Sequence, residues 1–449
     1  MGVDRWCSRW WESPRYLLVA LACAPGCTEQ LASPGATPNA GSSSEAALGP
    51  AALVPAALVS EFPNDAPQQP LCGDPLLGLG FSLEESELPT LYVDAATEAV
   101  AADGSLAAPF RTLGAALLAS GGGAAGSGHA LGGTRRVLVA SGHYDEDVAI
   151  PPGTLLFGGY DAEHWAKGAY PSVIGGSVYV GAVTAPAGIV TPEGLLAPDA
   201  TATPSSPSAA PLTALVHFEV SGGVAVVPRA RALLRDNVIS PVFFAATGDP
   251  LGTRRALAVW VNGATVRADG NRLVVPTSDP ASIISNGFFT WNSCAWITAN
   301  EISDYRGPIY FYQGPGVAAT FNVIQRAANG VGTNGNRALI AGNSIEAYMP
   351  HAGCVYAITM AADAHPDIRN NRIYLADFGN RGILEMDDAS HPTAVLGNRF
   401  YSPQWTPVLY IDRRGGVEPE LITSVGTLNA LSSIPAIGSN TFARVAAAR

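Results

Sequence analysis

The sequence predicts an all-β protein: a single-stranded parallel β-helix solenoid with a short helical cap at its N-terminal end. Three observations predict it. The chain holds 49 glycines and 35 prolines in 449 residues, with 47% hydrophobic and only 14% charged residues, a balance that suits many short strands and bends better than long helices. An asparagine with apolar residues on both sides recurs at intervals of roughly 20 to 40 residues, the spacing of solenoid repeats. A strand-like segment lies upstream of most of these asparagines, which supplies a further sheet.

The formal net charge is −12, so nucleic acid is not an expected partner, because phosphate binding needs a basic surface. No long heptad pattern is present, and no apolar run is long enough for an ordinary membrane span.

The N-terminus reads as an export signal. Arg5, Arg9 and Arg15 lead into the short apolar run "YLLVALACAPGC", which is rich in small residues near its end. "ALAC" and "APGC" each place a small residue before a cysteine, and this resembles the bacterial lipoprotein processing site. Cys27 is the favoured acylated residue, since the polar "TEQ" follows it and the longer apolar run precedes it; Cys23 is the alternative. Position −3 is alanine in both, and Pro25 at −2 departs from the pattern for Cys27. A plain secretory signal is the competing reading. Acylation implies a membrane contact made only through lipid chains, in the cell envelope at the outer membrane or cell surface. Residues 28–70, as in "SPGATPNAGSSSEAALGP", bury little and read as a flexible tether. Of the remaining cysteines, Cys72, Cys294 and Cys354, two could form one disulfide, and the pairing stays open.

Residues 71–445 read as one β-helix domain, with a cap over 88–135, rungs over 136–445 and an inserted loop at 184–212. The cap carries the most specific motif. "LYVDAATEAVAADGSLAAPFRTLGAALLAS" contains Tyr92-Val93-Asp94, then Asp103-Gly104-Ser105, then Ala108-Pro109-Phe110-Arg111-Thr112-Leu113, running into apolar residues at helical spacing. This segment resembles the N-terminal capping domain of bacterial right-handed parallel β-helix proteins of the pectate-lyase-like superfamily. The following "RRVLVASGHYDEDVAIPPGTLLFGGYDAEHW" resembles that family's first turns, with alternating strands broken by glycine and a Pro-Pro pair. The resemblance implies a right-handed solenoid; lyases, hydrolases and non-catalytic adhesins all occur on this scaffold.

The rungs follow from the asparagines. Asn237, Asn271, Asn300, Asn322, Asn343, Asn371, Asn398 and Asn440 are each followed two residues later by an apolar residue, from Ile239 to Phe442. Each is preceded three residues earlier by another, from Leu234 to Ile437. The expected arrangement is a tight bend in which the asparagine itself adopts left-handed geometry, its amides stack as a hydrogen-bonded ladder, and its flanks point inward. A further sheet is expected from "LAVWVN" (257–262), "FFTWN" (288–292), "IYFY" (309–312), "GVGT" (330–333), "VYAITM" (355–360) and "ILEMDD" (383–388), with "VLYIDRR" (408–414) as the last rung.

Two features could carry chemistry. If Val259, Val261, Ile309, Phe311, Leu384 and Met386 point inward, alternation turns Trp260, Asn262, Tyr310, Tyr312, Glu385 and Asp387 outward, with Trp291 as a further candidate. Such an aromatic row suits stacking on sugar rings; aromatics packed beneath loops are the simpler explanation. In "ILEMDDASH", Glu385, Asp387, Asp388 and His391 could serve as general acid and base in glycoside hydrolysis, or hold Ca2+ in a lyase. Solvated acids at a turn are again the simpler explanation. The Asn-Thr-Asp, Gly-His-Gly and Arg-Ile-Lys elements of polygalacturonases are missing, and none of Arg369, Arg372 and Arg381 is singled out as a lyase base. His351 and His365 lie in rung loops, and no transition-metal spacing is present. The expectation is a monomeric, non-catalytic envelope protein that binds polysaccharide or another surface. It needs no cofactor, and Ca2+ enters only if the chain is instead a lyase or hydrolase of acidic polysaccharide.

Overall fold

A computed structural model describes residues 88–120, 134–184, 210–245, 254–275, 284–349, 355–377, 379–414 and 419–445. All belong to the compact unit Gln68–Arg449. Cys23, Cys27, the tether at 28–70, Cys72, His351, Cys354 and most of the inserted loop lie outside the described residues. Cys294 is disulfide-bonded.

The chain winds through three parallel sheets in turn, which makes it an all-β parallel β-helix with few helices. Sheet A runs from Thr90–Val93 to Ala436–Gly438, sheet B from His143–Tyr144 to Thr441–Arg444, and sheet C from Val148–Ile150 to Val408–Asp412. Sheet C ends on an antiparallel strand, Glu420–Ile422, paired with Val408–Asp412. The chain then adds one more strand to sheet A and one to sheet B, so "VLYIDRR" is not the last turn of the solenoid.

The apolar flanks explain why the repeat folds this way. Leu234, Ala268, Ile297, Ala319, Ile340, Ile368, Val395 and Ile437 are successive register partners in sheet A. Ile239, Leu273, Ile302, Ile324, Ile345, Ile373, Phe400 and Phe442 do the same in sheet B. Both columns belong to one continuous core. A residue that is apolar in one rung therefore meets its own equivalent in the next, about 4.8 Å away.

Between these columns the asparagines stack. Asn237 Nδ2 donates to Asn271 Oδ1 at 2.9 Å, and the same bond repeats through Asn300, Asn322, Asn343, Asn371, Asn398 and Asn440. Each Oδ1 from Asn271 onward also accepts the backbone N–H of the preceding asparagine, as Asn343 does from Asn322 at 2.9 Å. The second amide hydrogen goes to a carbonyl of the neighbouring rung, such as Ile297 O for Asn322 at 2.9 Å. Two donors and two acceptor sites are thus all used in a dry interior. The left-handed residue is not the asparagine but the one before it: Asp236, Gly270, Ala299, Phe321, Gly342, Asn370, Gly397 and Ser439 all have φ between 54° and 68°. The division of labour is physical, because the preceding residue makes the bend and leaves the asparagine side chain aimed along the axis.

The column is closed at both ends. Asn237 Oδ1 accepts the N–H of Phe218 at 3.0 Å, and Asn440 Nδ2 donates at 2.8 Å to Asn429 Oδ1. Asn429 is a ninth amide, outside the rung pattern.

The N-terminal motif builds the cap. Strand Thr90–Val93 pairs with Arg135–Ala140 and opens sheet A. Tyr92 N–H donates to Gly104 O at 2.9 Å, and Phe110 N–H to Tyr92 O at 2.9 Å. Gly104 has φ +78°, and a Cβ there would lie 2.3 Å from the Phe110 ring, so Asp-Gly-Ser and Pro-Phe form one unit. Helix α1 (Leu113–Ser120) buries Leu113, Ala116 and Leu117 in the solenoid core. Its first amides, Leu113 and Gly114, donate to the Glu146 carboxylate at 2.7 and 2.8 Å, which satisfies donors a helix start leaves open.

Candidate functional site

The outer face of sheet C carries the aromatic row. Trp260, Phe289 and Tyr310 are register neighbours with stacked rings, at centroid separations of 4.8 and 5.4 Å. One step along the strands, Trp291 stacks on Tyr312 at 4.2 Å, with Asn262 beside Trp291. The row stops at Gly332, the partner of Tyr310, where a Cβ would come within 2.4 Å of the tyrosine ring. These rings are not an open platform: Trp260 is only 3% exposed and Phe289 is buried. Burial pushes the Tyr310 hydroxyl up to about 12, partly offset by a hydrogen bond with Asn334. Trp291 and Tyr312 are half-buried and keep a partly accessible edge.

The acids of 385–391 separate into different roles. Glu385 is not on the outer face. Ile383 pairs with Ile358 and Glu385 with Met360, both core residues, so Glu385 points inward and is 0% exposed, while Leu384 turns outward. "ILEM" offers two apolar neighbours, and alternation alone does not say which of Ile383 and Leu384 enters the core. The buried carboxylate is tolerated because its surroundings satisfy it. The Tyr410 hydroxyl donates to Oε1, Arg413 N–H donates to Oε2 at 2.8 Å, and the Arg414 guanidinium stands 3.6 Å from Oε1. Asp412 follows Ile411, the partner of Leu384, and so stands beside Glu385. It holds Arg414 through contacts of 3.2 and 3.0 Å, and Arg414 also donates to Ser433 O. One arginine therefore ties the last rungs to the C-terminal segment.

The two carboxyls titrate in opposite directions. Burial pushes Glu385 up to about 7, with the charge of Asp412 adding to it, against lowering by the Tyr410 and Arg413 hydrogen bonds and by Arg414. Burial also raises Asp412, but the hydrogen bonds and charge of Arg414, with a hydrogen bond from Glu385, outweigh it and hold Asp412 below its ordinary value. The arrangement keeps Glu385 protonated and Asp412 ionised against Arg414 in weakly acidic solution.

Asp387 is used by its own turn: Oδ1 accepts Ser390 N–H at 2.8 Å, and Oδ2 accepts Ala362 N–H at 2.6 Å. Asp388 is exposed. His391 meets His365 edge to face at 4.5 Å, and the His365 ring reaches His391 O and the Asp363 carboxylate, both at 3.0 Å. Burial, then the charges of His365 and Arg414, lower the His391 imidazole. The structure thus draws Glu385 and His391 toward Arg414 and leaves Asp387 and Asp388 in the turn. Among the described residues, no group of three or more His, Cys, Asp or Glu side chains is placed to hold a metal ion.

Partly accessible aromatics also occur on sheet B, with an exposed tryptophan in the bend that follows its strand Arg399–Ser402. Tyr374 and Tyr401 are register partners with rings stacked at 4.7 Å and 13°. Trp405 follows with 77% of its surface exposed, under the Arg444 guanidinium at 3.6 Å. Sequence reasoning centred on sheet C missed these residues, although two successive rungs read Asn-Arg-Ile-Tyr (371–374) and Asn-Arg-Phe-Tyr (398–401). No family model, curated protein or solved structure matches this chain in comparisons of sequence and fold.

Proposed function

We propose that the chain is an exported, lipid-anchored β-helix protein of the bacterial cell envelope that binds carbohydrate without turning it over. Under this reading Cys27, or Cys23, carries the anchor, residues 28–70 hold the domain off the membrane, and the solenoid presents the binding surface. Membership of the pectate-lyase-like superfamily belongs to the same proposal. It is supported by the three parallel sheets, the amide column and a helix packed on the first rungs.

The observation that carries the binding reading is the contrast between the aromatic rings and the acids. Trp405 is exposed, and Tyr374 and Tyr401, like Trp291 and Tyr312, keep a partly accessible edge, while Glu385 is enclosed in the core and Asp387 is committed to backbone amides. A hydrolase needs two carboxyls facing one bond across an open cleft, and these acids do not face one another. The full chain is tested against uronic-acid and neutral polysaccharides. Retention without new reducing ends or unsaturated product is expected; turnover that disappears in Asp387→Asn overturns the reading in favour of an enzyme. A palmitate label lost in Cys27→Ser but kept in Cys23→Ser assigns the anchor.

A further inference from the structure

The outer face of sheet A is apolar over much of its length. Leu155, Ala214 and Leu233 are successive register partners, and so are Trp296, Ala318 and Leu339. Arg267 joins the two runs and turns to Asp269 at 3.5 Å. Ala214, Leu233 and Ala318 are 0% exposed. Among the described residues, Leu88, Tyr92 and Trp165 cover the start of this face. No described helix or strand lies across the rest: the helices pack on the first rungs and at the C-terminal end, and every strand belongs to one of the three sheets. Cys294 stands on the same face, because Ala295 and Ile297 alternate into the core. It is fully buried and disulfide-bonded, and the other cysteines all lie outside the described residues.

Geometry narrows the partner of Cys294. A disulfide needs its two Cα atoms within about 7 Å. Cys354 is bonded to Val355 at the start of strand Tyr356–Ala361, whereas Cys294 follows the end of strand Ile284–Trp291. Both strands belong to sheet C with two others between them. The two cysteines are thus about 14 Å apart along the axis and at opposite ends of strands about 16 Å long, which rules out Cys354. Cys7, Cys23 and Cys27 precede the tether in the export segment, which leaves Cys72. Strands Thr90–Val93 and Cys294–Thr298 are six spacings apart in sheet A, about 29 Å. The 16 residues from Cys72 to Leu88 span about 53 Å when extended, so they reach.

We infer that residues 72–87 are a strap docked along the outer face of sheet A, held at one end by strand Thr90–Val93 and at the other by a Cys72–Cys294 disulfide. In "LLGLGFSL" (76–83), Leu77, Leu79, Phe81 and Leu83 alternate, so an extended segment turns all four to one side, toward Leu233 and Trp296. Leu88 already packs on this face and sets the direction of entry. Charge agrees, since Glu84, Glu85 and Glu87 lie in the strap and Arg231 and Arg235 flank Leu233 on the face below. Docking closes sheet A and leaves a ligand the outer faces of sheets B and C. The disulfide rests on the exported, oxidising location proposed above, and nothing in the strap rests on carbohydrate binding.

The test is peptide mapping of the full chain, purified from an exporting host without reduction, together with hydroxyl-radical footprinting. Cuts after Glu61 and Glu84 release Cys72, cuts after Arg272 and Arg306 release Cys294, and cuts after Arg337 and Arg369 release Cys354. A product joining the Cys72 and Cys294 peptides is expected; a link from Cys294 to Cys354 or to Cys27 overturns the inference. In the footprint, Leu79 and Phe81 are protected in the native chain and lose that protection in urea. Phe81→Ser exposes Leu233 and Trp296 to the radical, while protection retained at Ile340 and Ile373 shows that the solenoid is still folded. Labelling of Leu79 and Phe81 at the unfolded rate in the native chain overturns the docking. Protection at 185–209 in their place, or a dimer in sedimentation whose dissociation exposes Leu233, assigns the face to another occupant and overturns it too. A chain retained in the cytoplasm overturns the export reading, while the footprint, which depends on no compartment, still decides the docking.

Discussion

Glu385→Gln changes the pH dependence of stability in a way that separates a buried structural carboxyl from a catalytic one. The Glu385 carboxyl titrates near 7 in the fold against an ordinary value of 4.5. The folded chain therefore binds the proton more tightly than the unfolded chain, and the stabilisation is complete below the unfolded value. It declines as pH rises from 4.5 towards 7 and is flat above that. The difference of 2.5 between the two values, at 1.36 kcal/mol per unit, gives a loss of about 3 kcal/mol across the window. Glutamine holds the site neutral at every pH and removes this slope. Its amide nitrogen cannot accept the Arg413 N–H, which costs about 1–2 kcal/mol. The variant should thus be less stable than the parent at pH 4.5 and equal or more stable at pH 8. Urea denaturation at several pH values reads the crossing. Parallel stability profiles for the two proteins between pH 5 and 8 would refute the protonated, enclosed state of Glu385.

Three further outcomes follow from the packing. Asn322→Ala leaves the N–H and amide of Asn300 and the carbonyl of Ile297 without their partner in a dry interior. At about 1–3 kcal/mol for each orphaned group, it should destabilise the chain by about 3–9 kcal/mol, seen as a lower denaturation midpoint. Ala299→Gly relieves a left-handed alanine at φ 55° and should stabilise by about 0.5–1 kcal/mol, the cost of that geometry less the added flexibility of glycine in the unfolded chain. Gly332→Ala places a methyl 2.4 Å from the Tyr310 ring; a loss of about 1–3 kcal/mol is expected, with a change in near-ultraviolet circular dichroism as the ring moves.

The solenoid was legible because stacking makes every rung answer to the same constraint. A position three residues before the asparagine must be apolar in each rung, since it packs on its own equivalent, and Leu234 through Ile437 show this without any structure. The bend was less legible: the left-handed positions are filled by Asp, Gly, Ala, Phe, Asn and Ser, a set with no common chemistry beyond a tolerated cost, so attention fell on the invariant asparagine beside them. Glu385 was misplaced for a different reason. Pattern reasoning assigns a carboxylate outward by default, and only the third dimension brings Tyr410, Asp412 and Arg414 to a glutamate that sits 25 residues before that tyrosine. Exposure was the least legible property. Trp260 and Tyr401 both face outward from a strand, yet the first is enclosed against Phe289 and the second keeps an accessible surface. What does distinguish them in the sequence is company: Trp260 sits in "LAVWVN", with apolar residues on both sides, whereas Tyr374 and Tyr401 each follow an arginine two positions earlier. In a strand, that arginine shares their face, and a face that carries unpaired charge stays in water.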